Sequence, residues 1–563
     1  MSAPTLVSAV ATPDGTLLNT EVYLPAGDGP FPAELLRTPY GPADRADDAA
    51  RMVRDGVAVV VQSCRGRFGS GGAFDLGLAD AADGPSAVAW IRQQPWSDGR
   101  VALWGFSYGA YTQWQTVGSG IEVGPSCPSM GPPPWRGLDF RRGGAIELAA
   151  LAHWLPRQAA HGAIASPPTQ AAEVFARAFE PDSVLAADEQ IDLAAALDHP
   201  TLNHHPLTDP WPVGGRGEYG RLWQSVFSSP GNGLPSRATR RLPIGPALVV
   251  GGWYDLWSTE QTEAWRWVRA NSSPTHQADH RLIMAPAGHG FHPLTGIDVG
   301  PTADRFGLDL DHRWAVEWLQ DDPGELRSLA PVTWFLIGAN GWRSATDWPP
   351  PSAHARQWSL GADGCLSDTV AVAGESRLPC DPRSPVPTRG GSGMLLPPGP
   401  WEQAGLSGDD RDDVVSFVTE PLNRDLDIAG PVRLDVTGSA DVPDFDLAAK
   451  LVDVSPSGVA MSVCDGIARA RWRAGNRPAL VQPGEAVSLT VQLGTVGYRV
   501  RRGHRLRVDV AGTNFPRYLP NAHTGAPEGS DLAHEVRPAI IIIHHGPRHY
   551  PVLSVHVLSG ESE

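Results

Sequence analysis

The stretch Val101-Ala-Leu-Trp-Gly-Phe-Ser-Tyr-Gly109, followed by a helical stretch over Tyr111 to Val117, decides the fold of this chain. It predicts a strand, a sharp turn that carries Ser107, and a helix. Gly105 and Gly109 lie two residues before and after the serine, where so tight a turn leaves no room for side chains. The Gly-x-Ser-x-Gly pattern alone is weak evidence, but the strand–turn–helix context is the one in which it holds a nucleophile. The stretch therefore predicts a nucleophile elbow.

Two further polar residues follow predicted strands in the order acid, then histidine, that such an elbow requires. Ala247–Val250 runs into Gly251-Gly-Trp-Tyr-Asp255, and Leu282–Ala285 runs into Pro286-Ala-Gly-His-Gly290. The carboxyl ends of parallel strands meet at one edge of a sheet, so we expect Asp255 and His289 beside Ser107. A serine hydroxyl needs a base to take its proton and a carboxylate to orient that base. Ser107, Asp255 and His289 are therefore the predicted catalytic residues.

Each partner has an ordinary alternative. Asp255 precedes an amphipathic stretch, Glu260 to Ala270, and could act only as a helix cap. His292 competes with His289 for the role of base, but only His289 lies between two glycines at the end of its strand.

The sequence around the elbow alternates between strands and helices. Ala33–Tyr40 and the wholly apolar Val57–Val61 read as strands, and Asp83 to Gln94 reads as a helix with Pro85 near its start. A run that is apolar throughout is typical of a parallel strand covered on both faces. The predicted fold class is α/β, with an α/β-hydrolase core.

Changes in composition and hydrophobic periodicity along the chain predict three parts. The α/β-hydrolase domain occupies 1–140 and 241–354, and a helical cap is inserted over 141–240. Within that insert, helices are expected over Ala145–Leu155, Gln170–Phe179 and Ile191–Leu197. From 355 to 563, short alternating runs such as Val432–Val436 and Leu506–Val510 predict a jelly-roll β-sandwich.

Composition and charge exclude several classes of partner. Lys plus Arg number 45 and Asp plus Glu 62, so the formal net charge is −17, which repels nucleic acid and anionic membrane surfaces. No secretory signal or apolar run of membrane-spanning length is present, so a cytoplasmic protein is expected. The five cysteines are scattered, and the pairs His204-His205 and His544-His545 lack partners at ligand spacing, so neither a metal nor any other cofactor is expected.

Beyond the predicted triad, ordered matches run along nearly the whole chain. With these residues the chain resembles the cocaine esterase and X-Pro dipeptidyl-peptidase superfamily of serine hydrolases. The matching residues are Asp14-Gly15, Arg37-Thr-Pro-Tyr-Gly41, Arg65-Gly66, Gly105-Phe-Ser-Tyr108, Thr112-Gln-Trp114, Gly143-Gly144, Gly251-Gly-Trp-Tyr-Asp255, Gly288-His289, Leu422-Asn-Arg-Asp-Leu426, Gly430, Pro483-Gly-Glu485, Gly503-His-Arg-Leu-Arg507 and Asn514-Phe-Pro-Arg517.

The resemblance implies the same three-part architecture, with the cap and the jelly roll packed on the hydrolase domain. It also implies that the Tyr40 hydroxyl and the Tyr108 backbone N–H form the oxyanion hole, although Tyr40 could instead be a core tyrosine. The chain departs from the family at Gly109-Ala110, where the family places its glycine one residue later. It diverges most over Asn203 to Arg241, which makes substrate preference the least transferable property.

Leu256-Trp257 follow the predicted triad acid where relatives that bind a substrate ammonium need carboxylates. The expected substrate is therefore an ester or amide of a small neutral acyl group, held by aromatic residues such as Trp154 and Trp257. Four alternatives stay open: an Xaa-Pro dipeptidyl aminopeptidase, an α-amino acid ester hydrolase, an acyltransferase using the same triad, and a non-catalytic binding protein. A homodimer is kept open beside a monomer, and the natural acyl and leaving groups are not determined by the sequence.

Overall fold

The computed structural model describes residues 3–559 except for 155–242 and short gaps at 75–76, 78, 133–134, 136–137, 152–153, 308, 370, 394–396, 476, 528–534 and 547–549. The N-terminal strands are β1 (Leu6–Ala11), β2 (Leu17–Tyr23), β3 (Phe31–Thr38), β4 (Ala58–Ser63) and β5 (Ser97–Leu103). The helices among them are α1 (Ala46–Met52), α2 (Asp80–Arg92) and α3 (Tyr108–Gly118). The strands lie in the order β1-β2-β4-β3-β5, with β3 parallel to both β4 and β5.

The predicted apolar strand Val57–Val61 is observed as β4, which is buried along its whole length. Val60 packs with residues of α2 and α3, whereas Val59 and Val61 pack with residues of α1 on the opposite face. Successive side chains of a strand point to opposite faces, so covering both faces requires an unbroken apolar run. The fold class predicted from the sequence is confirmed.

The second part of the hydrolase core is a set of strands and helices beyond the elbow. In chain order these are β6 (Arg141–Arg142), β7 (Ala145–Ile146), β8 (Leu248–Tyr254), α4 (Ser258–Asn271), β9 (Arg281–Gly288), α5 (Leu310–Leu319), α6 (Glu325–Ser328), β10 (Val332–Leu336) and β11 (Gly341–Ala345). Strands β8 to β11 form a sheet in the order β11-β10-β9-β8, in which β8, β9 and β10 are parallel. Strands β6 and β7 pair only with each other.

A proline-rich segment, residues 123–130, joins the two sheets into one. Parallel bridges connect Ser126 to Leu103 of β5 on one side and to Ala247, next to β8, on the other. The carbonyl of Pro125 accepts from the Leu103 N–H at 2.9 Å, and that of Pro128 accepts from the Val250 N–H at 3.3 Å. Sequence analysis missed these bridges because proline cannot donate to a ladder and normally argues against a place between two strands. Here the prolines contribute only their carbonyl oxygens.

The C-terminal strands form two facing sheets. They are β12 (Ala353–Leu360), β13 (Leu366–Ser367), β14 (Gly374–Cys380), β15 (Val414–Val418), β16 (Leu426–Ala440), β17 (Asp446–Val454), β18 (Ala460–Arg469), β19 (Val487–Val500), β20 (Arg505–Ala511), β21 (Ala539–His545) and β22 (Val552–Leu558). One sheet runs β13-β12-β22-β16-β21-β14 with β19 also paired to β16, and the other runs β15-β20-β17-β18. This is the predicted all-β sandwich.

The β-sandwich contacts the hydrolase core next to the predicted site. The Tyr254 hydroxyl, one residue before Asp255, donates to the carbonyl of Val463 at 2.9 Å. Gly288, one residue before His289, packs so closely on Pro398 that a Cβ there would collide with the ring. The buried Arg517 guanidinium lies 3.2 Å from Glu147 and 2.7 Å from Asp465, which ties the residues after β7 to the sandwich.

The predicted insert lies almost entirely outside the described residues, as do the helices expected over Gln170–Phe179 and Ile191–Leu197. The division at 140, 240 and 354 therefore stays a prediction. The helix expected over Ala145–Leu155 is wrong at its start. Ala145–Ile146 is a strand paired with Arg141–Arg142, and helical structure begins only at Leu148. No helix in the described ranges is both long and apolar enough to cross a membrane.

Candidate active site

The turn at Ser107 has the strand–turn–helix geometry that the sequence predicts. Ser107 lies between β5 and α3 with φ of 58°, a left-handed conformation that non-glycine residues rarely adopt. Gly105 has φ of 119°, and a Cβ at Gly105 or Gly109 would press on the Leu36 side chain. The Ser107 N–H donates to the carbonyl of Ser129 in the proline-rich segment at 2.9 Å. The serine is thus held in a strained turn at the carboxyl edge of the sheet.

The structure brings Ser107, His289 and Asp255 together. His289 Nε2 lies 3.1 Å from Ser107 Oγ, and His289 Nδ1 lies 2.6 Å from Asp255 Oδ2. Asp255 is fully buried. Its second oxygen, Oδ1, accepts from the backbone N–H of Trp257 at 2.8 Å just before α4. Asp255 is not the N-cap of α4, a position that Trp257 holds, but it binds the turn before that helix with one oxygen and contacts His289 with the other.

Tyr40 and Tyr108 are the two residues expected to supply hydrogen-bond donors beside the serine. The Tyr40 hydroxyl lies next to Ser107 and accepts a hydrogen bond from Trp154 Nε1 at 3.0 Å. Burial raises the pKa of Tyr40, so its hydroxyl stays protonated at neutral pH. The N–H of Tyr108 opens α3 and has no acceptor in the part of the chain described, whereas those of Ser107 and Gly109 are bonded. Two donors are thus available next to Ser107.

A network of ion pairs, buried at Arg37, Asp80 and Asp83, fixes the position of the Tyr108 side chain. Its hydroxyl donates to Asp80 Oδ2 at 2.8 Å, and Asp80 Oδ1 lies 2.8 Å from the Arg37 guanidinium. Asp83 lies 3.5 Å from Arg37 and 2.7 Å from Arg65, and Arg65 reaches Asp14 at 2.6 Å. Sequence analysis quoted Asp14, Arg37 and Arg65 without a role and missed Asp80 and Asp83. Both acids lie in the first turn of the helix Asp80–Arg92, and this position could have indicated them. Carboxylates that are buried there need cationic partners.

Both predicted pocket tryptophans belong to one buried aromatic cluster. The ring centroid of Trp257 lies 5.5 Å from that of His289 and 6.1 Å from that of Phe140. Phe140 lies 5.6 Å from Trp154, which stacks on Tyr108 at 6.3 Å. Phe140 was not singled out in the sequence because it stands in a segment without periodicity. We call Phe140, Trp154, Trp257 and Tyr108 the aromatic cluster.

The first acid after Asp255 in the chain is Glu260, and it is paired. Its carboxylate lies 2.6 Å from the Arg142 guanidinium, which also donates to the carbonyl of Leu256 at 2.7 Å. The residues that follow Asp255 therefore contribute aromatic rings and one acid, Glu260, whose charge is balanced by Arg142.

A cavity of about 610 Å³ lies beside the elbow. Its lining includes Phe106 and Gly290, the neighbours of Ser107 and His289 in the chain, together with Tyr40, Arg45, Asp311 and His312. This volume lies within the range of small-molecule pockets.

Within the described ranges, no group of three or more His, Cys, Asp or Glu residues is arranged to hold a metal ion. His544 and His545 end β21, where His544 bonds Ser439 and lies 3.5 Å from Glu375, and His545 bonds Ser376. Glu375 comes from the neighbouring strand, so the sequence spacing did not reveal this acidic partner. His204-His205 lie outside the described residues.

Comparison with known proteins gives matches over most of the chain. The family model of the X-Pro dipeptidyl-peptidase (S15 family) matches residues 14–291, and that of the X-Pro dipeptidyl-peptidase C-terminal non-catalytic domain matches residues 325–554. The chain is 32% identical to cocaine esterase from Rhodococcus sp. (strain MB1 Bresler) over 95% of both chains.

Solved structures share the fold along the whole length. An α-amino acid ester hydrolase superposes with a TM-score of 0.73 at 22% identity, covering 98% of this chain and 96% of the other. An aminopeptidase from a marine sediment Thaumarchaeota archaeon superposes with a TM-score of 0.73 at 21% identity and the same coverage.

Proposed function

Because this chain belongs to the cocaine esterase and X-Pro dipeptidyl-peptidase family of serine hydrolases, we propose that it hydrolyses carboxylic esters of small neutral acyl groups through an acyl-enzyme on Ser107. The observation that carries the proposal is the unbroken hydrogen-bonded series from buried Asp255 through His289 to Ser107, set against the aromatic cluster. A neutral imidazole so placed can accept a proton from Ser107 while the carboxylate stabilises the cation that forms.

In the proposed mechanism, His289 Nε2 takes the Ser107 proton as Oγ attacks the acyl carbonyl. The carbonyl oxygen becomes an oxyanion that accepts hydrogen bonds from the Tyr40 hydroxyl and the Tyr108 N–H. The tetrahedral intermediate collapses as protonated His289 gives its proton to the leaving alcohol, which departs and leaves the acyl group on Ser107. Water then repeats the sequence, releases the carboxylic acid and restores the serine.

Preference for a neutral acyl group rests on what surrounds the nucleophile. The aromatic cluster offers apolar surface, and Glu260 is already paired with Arg142. Among the described residues that form the aromatic cluster, a substrate ammonium would find no carboxylate partner, and leaving a charge unpaired in a buried site costs several kcal/mol. This argument places Xaa-Pro dipeptidyl aminopeptidase and α-amino acid ester hydrolase activities second. Acyl transfer to an alcohol or amine and a homodimeric state stay alternatives, and a cytoplasmic location stays a prediction.

Covalent labelling tests the proposal directly. A fluorophosphonate probe is expected to label the wild-type enzyme and not Ser107→Ala. Ser126→Ala serves as the matched control, since Ser126 is also buried and its hydroxyl has no partner among the described residues. Unlabelled samples of the same enzymes are assayed on acetyl and propionyl aryl esters, amino acid aryl esters and Xaa-Pro anilides.

We expect kcat/KM for the neutral esters to exceed that for the amino acid esters and anilides by at least tenfold. Labelling of Ser107→Ala at the wild-type rate would exclude Ser107 as the nucleophile. Faster turnover of Xaa-Pro anilides than of neutral esters would replace the esterase proposal with the peptidase one.

A further inference from the structure

Trp154 makes a contact that a simple pocket wall does not need. Its indole N–H donates to the Tyr40 hydroxyl oxygen at 3.0 Å, and its ring stacks on Tyr108 with an interplanar angle of 23°. We propose that Trp154 is a positioning residue that directs the hydroxyl proton of Tyr40 toward the oxyanion. The inference rests on the proposed function, in which Tyr40 is one of the two oxyanion donors.

The direction follows from the chemistry of the two groups. An indole N–H donates and never accepts, so the Tyr40 oxygen must be the acceptor in this pair. Tyr40 has a single hydroxyl proton, which cannot point at Trp154 and is therefore available to an acceptor on the side of Ser107, its neighbour in the site. The oxyanion forms on the carbonyl that Ser107 attacks, and in the proposal the proton faces that side before substrate binds. Preorganised donors of this kind stabilise developing charge without reorienting during the reaction.

The surroundings hold the indole in place for this task. Trp154 is only 7% exposed and packs between Phe140 and Tyr108. Tyr108 in turn is anchored by its bond to Asp80. Trp154 therefore touches the residues of both proposed oxyanion donors, but only through its N–H does it act on the Tyr40 hydroxyl. Removing the N–H while keeping an aromatic ring separates the two effects.

A double-mutant cycle of Trp154→Phe and Tyr40→Phe tests the proposal, with kcat and KM measured on a neutral aryl ester. Tyr40→Phe is expected to lower kcat about 10²–10³-fold, as loss of one oxyanion donor does. Trp154→Phe is expected to lower kcat about tenfold with KM changed less than about twofold, because the net worth of one hydrogen bond is lost. In the Tyr40→Phe background the same change should alter kcat by less than about twofold, since the hydroxyl it orients is gone.

Trp96→Phe is the matched control. Trp96 is 9% exposed, close to the value for Trp154, and its Nε1 has no partner among the described residues. It should leave kcat unchanged and report the general effect of the substitution on thermal stability. Should Trp154→Phe not fold, incorporation of benzothienylalanine at position 154 replaces only the N–H by sulfur and is expected to give the same tenfold loss.

Equal losses of kcat in both backgrounds, or a loss confined to KM, would show that Trp154 is a wall of the acyl pocket and overturn the inference. An unchanged kcat in Tyr40→Phe would also overturn it. In both cases fluorophosphonate labelling of Ser107 would leave the proposed hydrolase standing. Absence of labelling and of ester turnover in the wild type would instead refute the proposed function itself.

Discussion

Replacing Asp255 by asparagine should inactivate the enzyme through the tautomer of His289. Asp255 accepts two hydrogen bonds with separate oxygens, from His289 Nδ1 and from the Trp257 backbone N–H. Asparagine has the same shape but only one acceptor oxygen. The Trp257 N–H can only donate, so the amide oxygen must face it and the amide NH2 must face Nδ1. His289 then carries its proton on Nε2, toward Ser107, where it cannot act as a base.

The size of the effect has two parts. The opposite amide orientation would place two donors face to face in a fully buried site, at a cost of about 1–3 kcal/mol. That cost reduces the population of the active tautomer about five- to 150-fold. The rest of the loss comes from the missing negative charge, which no longer stabilises the imidazolium that forms during attack. Together they should lower kcat about 10⁴-fold, the size known for this substitution in a serine protease triad.

Stopped-flow measurement of the acylation burst with a neutral aryl ester, together with thermal unfolding, checks this reasoning. Asp255→Asn should unfold close to the wild-type temperature because both partners keep a hydrogen bond. Asp255→Ala should be less stable by about 1–3 kcal/mol, since the Trp257 N–H loses its acceptor. A loss of burst rate smaller than tenfold in Asp255→Asn would refute the tautomer argument and the role of Asp255 with it.

Two further predictions concern selectivity and pH. Trp257 is buried with its ring beside His289, so Trp257→Ala should shift the ratio of kcat/KM for benzoyl over acetyl aryl esters at least about tenfold upward; an unchanged ratio would remove Trp257 from the acyl pocket. Lys450, the only lysine in the sequence, is buried in the β-sandwich, and burial lowers its pKa from 10.5 to about 8. The folded state therefore binds fewer protons than the unfolded state between about pH 8 and 10.5, so this residue costs stability below pH 8 and the cost fades as pH rises. Lys450→Met should raise the free energy of unfolding by about 1–3 kcal/mol at pH 7, less than the pKa difference alone implies because two hydrogen bonds are also lost; denaturant titrations at pH 7 and 9.5 that show no gain at pH 7 would contradict it.

Sequence reasoning worked best where local pattern and chemistry coincide. The elbow at Ser107 and the ends of β8 and β9 were predictable because their glycines and apolar runs have few other uses. The bridged segment 123–130 was not predictable, because its prolines have low strand propensity. They are tolerated there because the neighbouring strands supply the hydrogen-bond donors. The Arg37–Asp80 pair was equally hidden, because the two residues are far apart in the chain and only burial makes their pairing necessary. The sequence predicted Trp154 only as an aromatic residue of the pocket. The hydrogen bond that its N–H donates to Tyr40 depends on a distance that only the structure gives.

The contacts at Tyr254 and Gly288 bear on how such an enzyme can be divided or improved. The residues just before Asp255 and His289 are braced by Val463 and Pro398 of the C-terminal part. A truncated chain that keeps every reacting group would lose the supports that set their spacing, and misplacement by about 1 Å can lower a rate 10²-fold. The matching C-terminal family model is described as a non-catalytic domain, and the proposed reacting groups all lie outside the residues that it matches. Mutagenesis libraries confined to the hydrolase half would nevertheless omit the C-terminal positions that contact Tyr254 and Gly288.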